Sequence, residues 1–300
     1  MPPLASPGRR TAARAVAVCA LVALAFTVAG DAADALPSQR DAAPPEFRFV
    51  RLAYTEAAGA FGGFGGRGGR GGRGESWLTD APEAEMHFLQ GMKRLTRISA
   101  GDDSRGVRLD GDAVFDFPFI YGVEVGRWYL SDAEAAQLRE YLLRGGFLMV
   151  DDFHGSLQWE VFMESMRRVF PDREVVDIPD EHEVFSVLYD LNASAQIAVQ
   201  VEQGGGGGSR PARPVGRGSV RQMQIPGIFA LMRGVTYEQD GTEPHWRGIF
   251  DDDGRLMVAI NHNMDLGDAW EHADTPQYPQ PLTALAYRVG INYVLYTMTH

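Results

Sequence analysis

The pattern of hydrophobic and polar positions from residue 47 to residue 178 alternates between short apolar runs and segments with helical spacing. Apolar runs at 47–54, 115–121 and 147–150 predict strands, and the last is continuous enough for a strand that is buried on both faces. Helical segments between these runs indicate strand–helix–strand units with right-handed crossovers. We therefore predict an α/β fold with a doubly wound, mostly parallel sheet.

Polar residues mark the expected starts of three helices. Asp80 and Glu83 have the spacing of a capping box, and Ser131 and Glu134 repeat it. Ser156 is expected to cap a third helix, which follows the apolar run that ends at residue 150.

The second half of the chain is predicted to be richer in strands. Strand segments are expected at 197–201, 225–232, 248–250 and 255–260. The last two flank Asp252-Asp253-Gly254, which indicates an added β-hairpin. A closing helix is expected over residues 281–297.

Charge and cysteine content limit the possible partners and chemistry. The 300 residues include 28 Lys and Arg against 40 Asp and Glu, a formal net charge of −12. Such a chain repels phosphate backbones, so nucleic acid is not expected as a partner. The single cysteine, Cys19, lies near the amino terminus, so thiol chemistry is not expected in the folded part.

The amino-terminal segment has the features of a secretory signal peptide. Arg9 and Arg10 precede an uncharged apolar run at 15–29, which is shorter than the roughly 20 residues that span a bilayer. We expect a signal over residues 1–35, a disordered lead over 36–45, and a periplasmic or extracellular protein without a membrane span after signal removal. An uncleaved signal that holds the protein at the inner membrane is the alternative.

Two Gly/Arg-rich tracts, at 57–76 and 203–219, are predicted to be long loops within a single domain over residues 46–300. The first resembles RNA-binding arginine–glycine segments. In an acidic chain that is expected to be exported, a solvated loop is the favoured interpretation.

Polar blocks that follow predicted strands supply the candidate ligand-binding residues, since open α/β sheets bind ligands at the carboxyl ends of their strands. These candidates are Asp151, Asp152, His154, His182, His262, Asp265 and Asp268. Among them Asp152, His154 and His262 are candidate metal ligands. A structural interpretation stays open, in which Asp151 and Asp152 cap the next helix and His154 bonds within a turn. No catalytic residue is assigned.

Several motifs resemble the bacterial domain-of-unknown-function family 4159. They are Phe49–Tyr54, Trp77–Asp80, Leu130–Ser131, Leu138–Asp152, His182–Phe185, Asn263–Glu271 and Tyr287–Tyr296. The resemblance implies a fold similar to the class I glutamine amidotransferase-like (trehalose-utilisation-like) superfamily, which is flavodoxin-like in outline. Amidotransferases of that superfamily use a cysteine on a strand-to-helix turn, whereas this chain has Asp151-Asp152-Phe153-His154 there. The resemblance therefore implies a fold and no activity.

Three functional hypotheses remain. The leading one is an exported domain that binds an unknown small molecule or an envelope protein, without amidotransferase activity. The second is a metal-assisted hydrolase or isomerase acting on a carbohydrate-like substrate, with Asp152, His154, His182, His262 and Asp265 as candidate groups. The third is a structural component of the envelope. The sequence identifies no cofactor.

Overall fold

Five neighbouring parallel strands, counted from one edge, form most of a seven-stranded sheet in a computed structural model that describes residues 44–57, 75–194 and 219–300. The strands are β1 (Phe47–Leu52), β2 (Thr55–Glu56), β3 (Ala100–Val107), β4 (Phe119–Val123), β5 (Trp128–Tyr129), β6 (Phe147–Asp151), β7 (Val176–Asp177), β8 (His245–Phe250) and β9 (Leu256–His262). The helices are α1 (Glu83–Leu95), α2 (Asp132–Leu143), α3 (Gly155–Val169), α4 (Leu191–Ser194), α5 (Ile228–Met232), α6 (Leu266–Glu271) and α7 (Gln280–Thr299).

The sheet order is β3-β1-β4-β6-β9-β8-β7, and β2 pairs separately with β5. Strands β3, β1, β4, β6 and β9 are parallel, while β8 runs antiparallel to β9 and β7 antiparallel to β8. Counted along the chain, the parallel strands stand in the order 2-1-3-4-5, which is the flavodoxin-like doubly wound order. The predicted α/β sheet with its added hairpin, β8–β9, is confirmed.

Helices cover both faces of the sheet. Phe88 of α1 and Ile291 of α7 pack in one buried cluster with Phe49 of β1. Leu138 of α2 and Phe162 of α3 pack in a second buried cluster on the opposite face. Covering both faces explains why the central strands are continuously apolar.

The predicted caps had different outcomes. Ser131 Oγ accepts a hydrogen bond from the Glu134 N–H at 3.3 Å, and the reciprocal bond completes the capping box of α2. The capping box predicted at Asp80 is wrong, because α1 begins at Glu83 after Pro82 and has no side-chain cap. The predicted Ser156 cap is also wrong, since α3 begins one residue earlier and the Ser156 hydroxyl donates to Asp240 at 2.7 Å.

The strand predicted at 225–232 is wrong. Pro226 and Gly227 end the extended chain, and α5 begins at Ile228, whose N–H donates to the buried Asp268 carboxylate. The closing helix is confirmed as α7. The predicted strand at 197–201, and almost all of the segments predicted at 1–35, 36–45, 57–76 and 203–219, lie outside the described residues.

No helix in the described part of the chain is long and apolar enough to cross a membrane. Edge strand β3 was not predicted, because five of its residues are exposed and polar or glycine. It pairs with β1 through backbone hydrogen bonds, and a hydrophobicity pattern does not reveal such pairing.

Candidate functional site

Loops at the carboxyl edge of the sheet hold several residues in the left-handed backbone region. Glu124 follows β4 with φ 52°, Asp152 follows β6 with φ 52°, and Asn263 follows β9 with φ 64°. Asp80, which precedes α1, has φ 63°. Such conformations are uncommon for residues other than glycine and concentrate at functional sites. The edge that the strand order predicts as a ligand site is therefore also where the backbone is unusual.

Three carboxylates from separate loops converge at this edge. One oxygen each of Asp80, Asp152 and Asp265 lie within 4.8 Å of one another. Two oxygens bound to one Ca²⁺ at about 2.4 Å are at most about 4.8 Å apart, so this spacing suits a shared ion. We call Asp80, Asp152 and Asp265 the acidic triad.

A second acidic group adjoins the triad. Asp268, Glu271 and His272 also offer ligand atoms within 4.8 Å of one another. The imidazole of His272 already lies 3.1 Å from Asp268 Oδ1, and this ion pair raises the pKa of His272. Both ring nitrogens of His272 have partners, since its Nδ1 lies 3.3 Å from Thr275 Oγ1, so the imidazole is poorly placed to bind a metal ion.

Asp151, the last residue of β6, holds the site together through its carboxylate. Its Oδ2 accepts hydrogen bonds from the N–H groups of Leu266 at 2.7 Å and Gly267 at 3.0 Å, and from the Tyr121 hydroxyl at 3.2 Å. It thereby satisfies amides at the start of α6 from a neighbouring strand. Its other oxygen is buried and has no hydrogen-bond partner among the described residues.

Burial and mutual repulsion leave the neighbouring carboxyl groups poorly ionised. Burial raises the pKa of Asp151 to about 8, and the nearby Asp152 adds to this effect. Burial likewise raises the pKa of Asp152 to about 8, with contributions from Glu238 and Asp268. These groups retain protons near neutral pH unless a cation compensates their charge.

The other two members of the triad behave in the same way. Burial raises the pKa of Asp80 and of Asp265 well above the usual range, and Asp152 is the strongest charged contributor in both cases. Glu124, beside Asp152, has its pKa raised to about 8, mainly by burial. Among the charged groups, Asp152 therefore contributes most to the raised pKa values of the other two triad members.

The two arginines near the site are paired with other acidic side chains. Arg127 Nε lies 2.8 Å from Glu124, and the buried Arg51 pairs with the buried Glu85. Arg51 also donates to the carbonyl oxygen of Thr79 at 2.6 Å, which fixes the residue before Asp80. These two guanidinium groups compensate the triad only in part: Arg127 and Arg51 act to lower the pKa of Asp152 and Arg51 that of Asp80, yet both pKa values stay raised.

Two glycines permit the close approach of the loops. A Cβ on Gly227 would lie 2.7 Å from Asp265 Oδ2 and 3.1 Å from both Asp268 Oδ2 and Glu238 Oε1. A Cβ on Gly267 would lie 2.5 Å from Asp80 Oδ2. That Asp80 oxygen is buried and has no hydrogen-bond partner among the described residues. The site thus combines crowded carboxylates with an unsatisfied acceptor, an arrangement that a cation would satisfy.

Comparison of the sequence with known protein families identifies the family of this chain. Residues 51–298 match the family described as "Domain of unknown function (DUF4159)". The chain belongs to this family. No curated protein matches the chain. The matched range spans the acidic triad and all other site residues of this DUF4159 domain.

His154 adjoins the triad but is not part of it. Its Nε2 lies 3.2 Å from Asp152 Oδ1, and the side chain is buried at the start of α3. Burial lowers the pKa of His154, and its Nδ1 has no hydrogen-bond partner in the described part of the chain. His154 is thus placed to orient the Asp152 carboxylate.

The structure places two other predicted histidines of this DUF4159 domain apart from the triad. His262 Nε2 lies 3.1 Å from the Gly155 carbonyl oxygen, and the His262 ring packs against Trp159 with centroids 4.8 Å apart. Burial lowers the pKa of His262 to about 3. His182 accepts from the Val184 N–H at 3.2 Å and packs against Phe250, at the opposite edge of the sheet.

Asp152, Asp265 and Asp268 were predicted as site residues and come together, with Asp151 as their scaffold. Sequence reasoning missed Asp80, which it assigned to a helix cap, and Glu238. No local pattern identifies Glu238, because its position depends on Asp240 accepting from the Ser156 N–H at 2.9 Å. For Asp80, the available signal was its place in the family-like motif Trp77–Asp80, which assigns no role to the side chain.

Proposed function

We propose that this chain is an exported ligand-binding domain that holds one hard divalent cation at the acidic triad and presents it to an oxygen-rich small molecule. The observation that carries the proposal is the convergence of Asp80, Asp152 and Asp265 oxygens within 4.8 Å of one another. Its support is that the buried Asp80 Oδ2 has no protein donor in the described residues. The export part rests on the amino-terminal sequence pattern.

The donor set favours calcium or magnesium over zinc. All three triad donors are carboxylate oxygens, which hard cations prefer, whereas structural zinc sites are rich in Cys and His. The only cysteine of the chain, Cys19, precedes the described residues. Three protein donors leave several positions of a six- to eight-coordinate ion for ligand oxygens or water.

Amidotransferase chemistry is not part of this proposal. The turn between β6 and α3, where Asp152 lies, carries no thiol. A carboxylate in this position serves as a cation ligand or as an acid–base group, since it does not form the thioester of a thiol enzyme.

Isothermal titration of the full chain with Ca²⁺, Mg²⁺ and Mn²⁺ tests the proposal. We expect binding of one ion, lost or weakened at least about tenfold in Asp152→Asn and in Asp80→Asn. Asp116→Asn is the matched control, because this exposed aspartate lies before β4 at the other edge of the sheet. Absence of binding in the wild type, or equal binding in Asp152→Asn and Asp116→Asn, would contradict the proposal.

A metal-assisted hydrolase or isomerase is the second candidate. The hydrogen bond between His154 Nε2 and Asp152 Oδ1 favours it, because it places an imidazole beside the cation ligands. Incubation of carbohydrate mixtures with the Ca²⁺- or Mg²⁺-loaded protein, followed by mass spectrometry, distinguishes the candidates. Product formed by the wild type and not by His154→Gln supports an enzyme, whereas retention of unchanged sugar supports a binding domain.

A further inference from the structure

The structure contains a second surface whose chemistry differs from that of the triad. A groove of about 660 Å³ lies at the ends of α1 and α7, away from the acidic site. Its lining residues are Glu46, Arg94, Leu95, Thr96, Arg97, Ile98, Leu188, Leu295 and Met298. We call this surface the amino-edge groove, because Glu46 immediately precedes β1. We propose that the amino-edge groove docks the domain on an anionic lipid surface.

Exposed apolar side chains form the rim of the amino-edge groove. Leu95 is 52% exposed, Leu188 is 48% exposed and Met298 is 40% exposed. They come from the end of α1, the segment before α4 and the end of α7. Three large apolar side chains exposed on one surface indicate a contact with an apolar phase or partner.

Unpaired positive charge accompanies these apolar side chains. Arg94 and Arg97 are exposed, and neither forms an ion pair with a carboxylate in the described ranges. The one acidic lining residue, Glu46, accepts a hydrogen bond from the Ser99 N–H at 2.7 Å. Guanidinium groups beside leucine and methionine suit the boundary between lipid phosphates and acyl chains.

The charge distribution also fixes the orientation of such docking. The acidic triad lies at the carboxyl edge of the sheet, opposite the amino-edge groove. An anionic surface attracts Arg94 and Arg97, which lie at the opposite edge of the sheet from the triad. The domain would therefore dock with its proposed ligand site facing away from the lipid. This inference does not depend on the cation site.

Lipid suits the amino-edge groove better than the chain segment that precedes it. Residues 36–44 contain Arg40, Asp41 and a single large apolar side chain, Leu36, so they match the three-residue apolar rim poorly.

Vesicle co-sedimentation of the full chain tests the inference. Vesicles of phosphatidylcholine mixed equally with phosphatidylglycerol are compared with vesicles of phosphatidylcholine alone. The double variant Arg94→Gln/Arg97→Gln is compared with Arg144→Gln/Arg167→Gln, which removes two exposed arginines, one at the C-cap of α2 and one on α3. The amino-terminal segment is common to all variants, so differences among them report on the folded surface.

We expect the wild type to prefer the mixed vesicles. The Arg94→Gln/Arg97→Gln variant is expected to bind them on the order of 25-fold more weakly, since each arginine near an anionic surface contributes roughly fivefold. The Arg144→Gln/Arg167→Gln control is expected to stay within about twofold of the wild type. The uncharged variant Leu95→Ser/Met298→Ser is expected to weaken binding as well, because it removes apolar contact.

Three results would overturn the inference. The first is equal binding of the wild type to both kinds of vesicle. The second is equal binding of the two arginine double variants to the mixed vesicles. The third is a dimer, detected by light scattering without vesicles, that Leu95→Ser/Met298→Ser disrupts. That dimer would assign the amino-edge groove to a second copy of the chain.

Discussion

Asp151 Oδ2 lies 2.7 Å from the backbone nitrogen of Leu266, so the acid that ends β6 caps the helix that follows β9. This bond joins the two loops that carry Asp152 and Asp265. Adjacent acids therefore have different tasks, because Asp151 satisfies backbone amides while Asp152 faces the other triad carboxylates.

Replacement of Asp151 by alanine is expected to cost more stability than replacement of Asp152. Asp151→Ala leaves the Leu266 and Gly267 amides and the Tyr121 hydroxyl without their acceptor, a loss of about 2–4 kcal/mol in the free energy of unfolding. Asp152→Ala removes a mutually repelling carboxylate, which offsets part of the roughly 1–2 kcal/mol that alanine costs at φ 52°, so the net loss is expected to stay below about 2 kcal/mol. Urea denaturation in the presence of a chelator measures both. A larger loss of unfolding free energy for Asp152→Ala than for Asp151→Ala would contradict these different roles of the two acids.

The cation-free protein is expected to lose stability as the pH rises from about 5 to about 8. The pKa values of Asp151, Asp152 and Glu124 are raised to about 8, so the folded state binds protons that the unfolded state releases. This contribution is complete below the unfolded pKa and is lost as the pH passes the folded pKa. Denaturation midpoints across this pH range measure it.

Saturating Ca²⁺ provides the control for the pH experiment. A bound cation replaces the protons, so the decline in stability with rising pH is expected to disappear. Asp152→Asn is expected to reduce the decline without Ca²⁺, whereas Asp116→Asn is expected to retain it. A stability that rises with pH from 5 to 8 in chelator would show that these carboxyl groups are not held protonated.

Removal of Arg51 is expected to destabilise the fold strongly. Arg51→Met leaves the buried Glu85 carboxylate without its partner, which typically costs about 3–5 kcal/mol. It also frees the Thr79 carbonyl oxygen that fixes the approach to Asp80, so cation affinity is expected to fall. A double-mutant cycle with Glu85→Met, followed by urea denaturation, measures the coupling. Strictly additive effects would be inconsistent with a buried pair.

Much of the sheet was predictable because the signal is local. Residues 147–150 are continuously apolar, and Ser131 and Glu134 form the predicted capping box. The missed strand β3 owes its place to backbone pairing with β1. The segment 225–232 was apolar enough for a strand, but a tertiary bond from the Ile228 N–H to Asp268 favours a helix.

The site was predictable only in part, because only some of its residues have a local signal in the sequence. Asp152 directly follows β6 and Asp265 lies three residues after the end of β9, so both are found by the rule that open α/β sheets bind ligands at the carboxyl ends of their strands. Asp80 reaches the site through a loop that Arg51 anchors, and Glu238 through a loop that Ser156 anchors at Asp240. Such long-range contacts leave no periodic pattern in the sequence.

His262 provides a direct test of which predicted residues contact the cation. His262→Gln is expected to leave cation affinity within about twofold of the wild type, because the His262 ring bonds to the Gly155 carbonyl and packs on Trp159. The same change is expected to lower stability by about 1–3 kcal/mol through lost packing. Titration calorimetry and thermal denaturation measure the two effects. A loss of affinity comparable to that of Asp152→Asn would place His262 among the ligands.

A crystal structure of the protein with Mn²⁺, in which the anomalous signal locates the metal, is the most direct test of whether the acidic triad binds a cation. We expect one peak bounded by Asp80, Asp152 and Asp265, with metal–oxygen distances of about 2.0–2.6 Å. Triad carboxylates that hydrogen-bond to one another through shared protons, with no peak among them at saturating Mn²⁺, would contradict the account.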